Sequence, residues 1–329
     1  MGADDNDRMQ ADEKTMDGLD GVTALVDWGV ITATGPDAET FLQGQLTQDM
    51  RGLGTGPVRA ARLAGYCSAK GRLLSSFIVW RLDENVIALA CSADLLPQTL
   101  KRLSMFVLRA RCKLADATGE LAVHGLVGPS ALRVLETSPD EVCLPDAWTC
   151  TVRESRSTLR LPDAMGVARA LQVVPRGVAT PSAPPLPHTH WDWLEVRSGV
   201  ARIMAATAEA FVPQMVNLEL TGGVNFQKGC YPGQEVVARS QYRGTLKRRM
   251  FLARCDRPAP PPGCEVFHSG DADQPAGKVV LSAPAPHGGA SALLELKTSL
   301  VETPGVLVAA GTVLHLDDAL PYRLPAEAA

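Results

Sequence analysis

Hydrophobic positions in the first half of the chain fall in short runs, broken by Gly, Pro and polar residues. Val22 to Thr34 reads as a strand, and Pro36 to Met50 as a helix entered through Gly35-Pro36. Arg59 to Leu63, Leu73 to Leu82 and Val86 to Cys91 carry β-branched and aromatic residues near their centres, as strands do. Ser92 is placed to cap a helix from Ala93 to about Arg109, with Asp94 in its first turn. Pro97 falls early in that helix and is expected to shorten or bend it. Strands near Lys113 to Ala117 and Leu121 to Val127 follow, then a short helix after Pro129. Hairpin-like neighbours and irregular alternation favour an α+β class over a doubly wound parallel sheet.

Residues 175 to 187 hold five prolines and read as a linker or exposed loop. Trp191 to Val200 is expected to be helical, capped by Thr189 with Asp192 three residues on. A Pro-rich stretch, Arg257 to Gly263, changes the composition. Short strands follow at Cys264 to His268, Gly277 to Ser282, Ala290 to Leu296 and Val306 to Leu316, the spacing of a small β-barrel. The divisions expected are a disordered acidic tail (1–20), an α+β part (21–174), the Pro-rich segment (175–189), a second α+β part (190–250) and the barrel (251–329).

Composition narrows the class. The chain has 329 residues, 46% hydrophobic and 21% charged, which suits a globular protein of two or three domains. A net charge of −4 argues against a protein that coats nucleic acid, though a local basic patch is compatible with it. No apolar run approaches the roughly 18 residues of a membrane span. The acidic stretch Met1 to Asp20 has no signal or transit character, so a cytoplasmic protein with no membrane partner is expected. The eight cysteines and six histidines form no C-x-x-C pair and no zinc spacing, and no bound metal is expected. Gly52 to Gly56 has the glycines of a phosphate loop without its lysine, and is read as a turn. His188 and His190 are read as incidental.

Most of the chemical information sits in Lys228-Gly229-Cys230-Tyr231-Pro232-Gly233-Gln234-Glu235. Pro232 can open a helix, and Glu235 then falls in its first turn, four residues before Arg239. Cys230 would stand just outside a helix N-terminus beside the Lys228 ammonium, surroundings in which thiols become reactive. Its neighbours are Gly, Tyr, Pro and Lys, whereas Cys91 lies in an aliphatic run and reads as core. From 228 to 249, Lys228, Arg239, Arg243, Lys247, Arg248 and Arg249 face one acid, Glu235. Such a cluster suggests an anionic partner, a tRNA backbone among the candidates.

The octapeptide, with Arg239, Tyr242-Arg243-Gly244 and Lys247-Arg248-Arg249 after it, resembles the YgfZ folate-binding family. That family is related to the aminomethyltransferase (T-protein) of the glycine cleavage system and to mitochondrial proteins of iron–sulfur maturation. Trp193 to Arg202 is similar to the family segment in which a glutamate binds the pterin of folate, which assigns Glu195 that role, followed by Gly199 and Arg202. A carboxylate can accept adjacent pterin N–H donors as a pair. Phe41 to Asp49 and Ser68 to Val79 resemble further family segments. In T-proteins the latter carries an Asp-Asp pair implicated in aminomethyl transfer; Ser75 and Ser76 stand there instead, which counts against that activity.

The resemblance implies a ferredoxin-like aminomethyltransferase-type folate-binding core with a C-terminal β-barrel. It implies tetrahydrofolate or a derivative as cofactor, and iron–sulfur assembly machinery or client proteins as partners, with tRNA modification affected downstream. A folate-dependent aminomethyltransferase and a tRNA-binding module are the alternatives. The expected functional residues are Cys230 and Lys228, with Glu195, Arg202, Gly229, Tyr231, Gly233, Gln234, Glu235, Arg239 and Arg243 binding the folate. A lone thiolate cannot hold a cluster, so Cys230 would supply one ligand at a shared transient site or act as a redox nucleophile.

Overall fold

The computed structural model describes residues 19–136, 144–242, 246–301 and 303–325. The stretch read as one strand over 22–34 is two, β1 (Gly21–Ala24) and β2 (Trp28–Thr34), separated by a turn at 25–27. Periodicity could not see this break, because the turn residues Leu25 and Val26 are as apolar as the strands; Val26 points out and is 83% exposed.

Eight further strands complete an antiparallel sheet in the order β1-β7-β10-β9-β8-β3-β4-β5-β2-β6. They are β3 (Val58–Cys67), β4 (Leu73–Asp83), β5 (Val86–Ser92), β6 (Lys113–Asp116), β7 (Leu121–Val127), β8 (Thr149–Arg153), β9 (Arg156–Ala164) and β10 (Val167–Pro175). β3 joins the halves of the sheet. Its first residues pair with β8 and the rest of it with β4. Along 184–186 the Pro-rich segment lies on the free edge of β1, where Val22 donates to the Pro184 carbonyl and Leu186 to that of Val22, both at 2.8 Å. Prolines fit such an edge because they lack the ladder N–H.

The first two helices are shorter than the sequence pattern suggests. α1 (Ala38–Gln43) stops at Gly44 instead of reaching Met50. α2 (Leu96–Ser104) begins beside Pro97, whose ring suits a first turn, instead of at Ala93 with Ser92 as its cap, and it ends before Arg109. α3 (Gly128–Leu135) follows β7 directly. α4 (His188–Arg197) starts after Pro187, which places Thr189 inside the helix and leaves it no capping role. α5 (Gln234–Tyr242) starts two residues after Pro232. Between α4 and α5 the chain is mostly turns, with short 3₁₀ segments at Ala205–Thr207 and Pro213–Val216.

A closed six-stranded barrel follows, in the order β11-β14-β13-β12-β15-β16. It comprises β11 (Arg248–Cys255), β12 (Glu265–His268), β13 (Asp271–Pro284), β14 (Ala290–Lys297), β15 (Leu307–Ala309) and β16 (Thr312–Leu316). The largest hydrophobic core is shared between sheet and barrel. It runs from Trp80 and Leu171, through Trp191 and Trp193 of α4, to Leu252, Leu281 and Leu293 of the barrel. Trp191 lies flat against β7 at Gly125, where a Cβ would sit 2.4 Å from the indole ring. Only glycine permits that approach.

Candidate functional site

α4 presents Glu195 to a narrow, partly open pocket. Trp28, Leu63, Ser76, Trp148, Arg169 and Arg202 are among the residues around it. Glu195 is 7% exposed. Burial pushes its carboxyl above the ordinary 4.5, against the pull of Arg202 and Arg169. Arg202 Nε stands 3.1 Å from Glu195 Oε1. That contact is an ion pair without hydrogen-bond alignment. Burial pulls the Arg202 guanidinium down, but Glu195 and Asp27 outweigh it and hold it above its usual value. Burial also lowers the Arg169 guanidinium to about 10, with Glu195 opposing.

An indole stacks on each of the two cations. Arg202 lies 4.9 Å from the centre of Trp28, and Arg169 lies 4.7 Å from that of Trp191. Stacking of this kind favours buried guanidinium groups. Trp28 Nε1 and Arg169 Nε are buried donors with no partner among the described residues. Glu195 likewise accepts no hydrogen bond from them. Unsatisfied groups of both kinds beside one cavity suit a ligand that offers donors and acceptors together. Ser76 also reaches this cavity, where its hydroxyl accepts the Ile203 N–H at 2.9 Å. It brings no carboxylate to the position.

The octapeptide builds something different. Lys228 is 5% exposed and its ammonium donates to the carbonyls of Gln43, Leu46 and Gln48 at 2.6, 2.5 and 3.2 Å. It therefore satisfies the last carbonyl of α1 and two carbonyls of the loop after it. Burial lowers the ammonium to about 8, with Asp49 pulling the other way. Thr47 ties the same loops together, donating to Gly223 at 2.5 Å and accepting from Gly65 at 2.7 Å. Gly233 has φ +79°, and a Cβ there would lie 2.4 Å from the Ser68 carbonyl oxygen. The loop is thus pressed onto the β3–β4 turn, and the segments singled out at 41–49, 68–79 and 228–235 meet in space.

These findings revise several expectations. The helix begins at Gln234, so Pro232 is in a turn and Cys230 does not sit at its N-terminus. The Lys228 ammonium is committed to carbonyls, while Cys230 is exposed. No residue from 228 to 239 lines the Glu195 cavity. Gly229 is exposed, Tyr231 is buried with its ring 5.2 Å from the Lys228 ammonium, and Gln234 opens α5 through a hydrogen bond to the Tyr231 carbonyl. Glu235 and Arg239 pair with each other at 2.9 Å, exposed on α5. The basic cluster is largely neutralised, since Arg248 pairs with Glu295 and Arg249 with Glu219. Arg243 lies outside the described residues.

The sequence reading missed Trp28, Arg169 and Asp27 altogether, and it dismissed His188. Arg169 left a trace, the single cation in β10, where Gln172 is the one other polar side chain. His188, Asp192 and Glu195 share helical spacing, four and three residues apart, so one face of α4 holds all three. Asp27 left none, because the turn that carries it was read as strand.

A model of the GCVT N-terminal domain matches residues 13–154. The tRNA-modifying protein YgfZ of Photorhabdus laumondii is 35% identical, over 69% of this chain and 69% of that protein. The tRNA-modifying protein YgfZ of Vibrio vulnificus is 31% identical over 93% of each chain. The glycine cleavage system aminomethyltransferase T from Bartonella henselae matches with a TM-score of 0.71 at 16% identity, over 92% of this chain and 86% of that one, which shows a shared fold. With the sheet, barrel and motif cluster these similarities agree on one assignment: the chain belongs to the YgfZ family.

Proposed function

We propose that the chain binds a reduced folate, tetrahydrofolate or a derivative, in the cavity beside α4. In this reading the binding serves assembly or repair of iron–sulfur proteins and affects tRNA modification downstream. The observation that carries the folate reading is the Glu195 carboxylate, buried at the cavity wall and open to donors, with the unpartnered N–H groups of Trp28 and Arg169 nearby. A pterin offers adjacent N–H donors to the carboxylate and ring acceptors to those two groups. Relatives named for tRNA modification support the downstream role. The exposure of Cys230 supports its use as one ligand, or as a redox nucleophile, at a site shared with another protein. An aminomethyltransferase is the weaker reading, because Ser76 supplies only a hydroxyl already engaged by Ile203.

Calorimetric titration with 5-formyltetrahydrofolate tests the pocket. Binding by wild type and Cys230→Ala, and its loss in Glu195→Ala, is the expected result. Wild-type protein that takes up no folate ends this reading. For the second half, Cys230→Ala is expected to lower the activity of iron–sulfur enzymes in cells that depend on this chain.

A further inference from the structure

Beyond the cavity, a continuous line of polar side-chain contacts runs from Arg202 through Asp27 to His188 and Asp192 of α4. Arg202 Nη2 meets Asp27 Oδ2 at 2.7 Å. Asp27 Oδ1 meets His188 Nε2 at 3.0 Å, and His188 Nδ1 meets Asp192 Oδ2 at 3.1 Å. The Asp27 carbonyl also accepts the Ala93 N–H at 2.9 Å, which fixes the β1–β2 turn. His188, Asp27 and Asp192 do not line the cavity. These groups are the one potential metal-holding cluster among the described residues, but His188 turns a different ring nitrogen to each carboxylate. That is a bridging imidazole, whereas a shared ion would take one nitrogen with both carboxylates.

The geometry at Arg202 gives the line a purpose. A guanidinium facing a carboxylate with nothing else to bind takes it fork to fork, occupying both oxygens. Here the fork is divided: Nε faces Glu195 and Nη2 faces Asp27. Asp27 thereby keeps Arg202 from capturing Glu195 bidentately, so the carboxylate retains acceptor sites for a ligand. His188 holds the far oxygen of Asp27, and Asp192 holds the ring.

We propose that Asp27, His188 and Asp192 are positioning residues for the ligand carboxylate Glu195, acting through Arg202. The inference rests on the folate reading of the cavity. The His188 side chain is 33% exposed, so a small molecule can replace it. The test is titration of His188→Ala with 5-formyltetrahydrofolate, with and without added imidazole, beside wild type, Glu195→Ala and Asp192→Asn. His188→Ala is expected to bind roughly tenfold more weakly, as changes along coupled side chains do. Imidazole should restore most of that loss, a rescue that a general packing defect would not show. Wild-type affinity in His188→Ala, or a loss that imidazole leaves untouched, overturns the proposal. Should His188→Ala not fold, Asp192→Asn decides: weakened binding supports the relay and unchanged binding overturns it. If wild type and Glu195→Ala both fail to bind, the folate reading has failed and this proposal falls with it. Binding by wild type with no response in the relay variants overturns the relay alone.

Discussion

Glu195 and Lys228 are both buried charges, and they are satisfied in opposite ways. Lys228 spends its ammonium on three backbone carbonyls. Lys228→Met would leave those acceptors unpaired in a buried loop, at a cost of about 2–4 kcal/mol. Urea unfolding measures this directly. Glu195 is paired with Arg202 but accepts no aligned hydrogen bond from the described residues, and burial raises its carboxyl above 4.5. A group raised in this way contributes stability below its unfolded value and loses that contribution as pH rises through the folded one. Pterin N–H donors favour the ionised form, so ligand binding should release a proton wherever the free carboxyl is partly protonated, and affinity should weaken as pH falls. Calorimetry in two buffers of different ionisation enthalpy reads that proton. Equal heats in both would show that Glu195 is not the group that meets the ligand.

At the scale of elements, the octapeptide is a docking device. Gly233 at φ +79° lies against the β3–β4 turn, and the facing Gly71, at φ +71°, would bring a Cβ to 2.8 Å from Val236. Gly233→Ala combines backbone strain with a clash and should cost about 1–3 kcal/mol. Hydrogen exchange across 228–236 should rise before that of β3 and β4. Unchanged exchange would mean that the loop tolerates a Cβ. The spacing from Glu235 to Arg239 was legible because it depends only on helical geometry. The start of α5 was not, since Gly233 takes a left-handed conformation that its contact with Ser68 imposes.

For the whole molecule, α4 is the shared wall between sheet and barrel. Trp191 packs on β7, while Trp193 is 1% exposed and donates to Ser291 of β14 at 3.1 Å. Arg197 pairs with Asp317, beyond β16. A core continuous through α4 should melt as one cooperative unit in calorimetry. Trp193→Ala removes the central indole and should cost about 3–5 kcal/mol. It should also separate the barrel transition from that of the sheet. A single unchanged transition would show that the contacts of Arg249 and Asn217 suffice to couple them.

Local chemistry explains what the sequence determined alone. Short apolar runs and turn residues established an α+β class with a terminal barrel, and the octapeptide established the family, because both depend on neighbours along the chain. Glu195 and Arg202 were legible through family resemblance. Tertiary structure decided the rest. It brought Asp27, from the β1–β2 turn, and Arg169, from β10, to the face of α4, turned Lys228 away from Cys230 toward α1, and neutralised Arg248 and Arg249 with Glu295 and Glu219. Partners of that kind lie more than 25 residues apart, and no periodicity reaches so far. A charge in a sequence records only that it exists; the fold determines what it must balance.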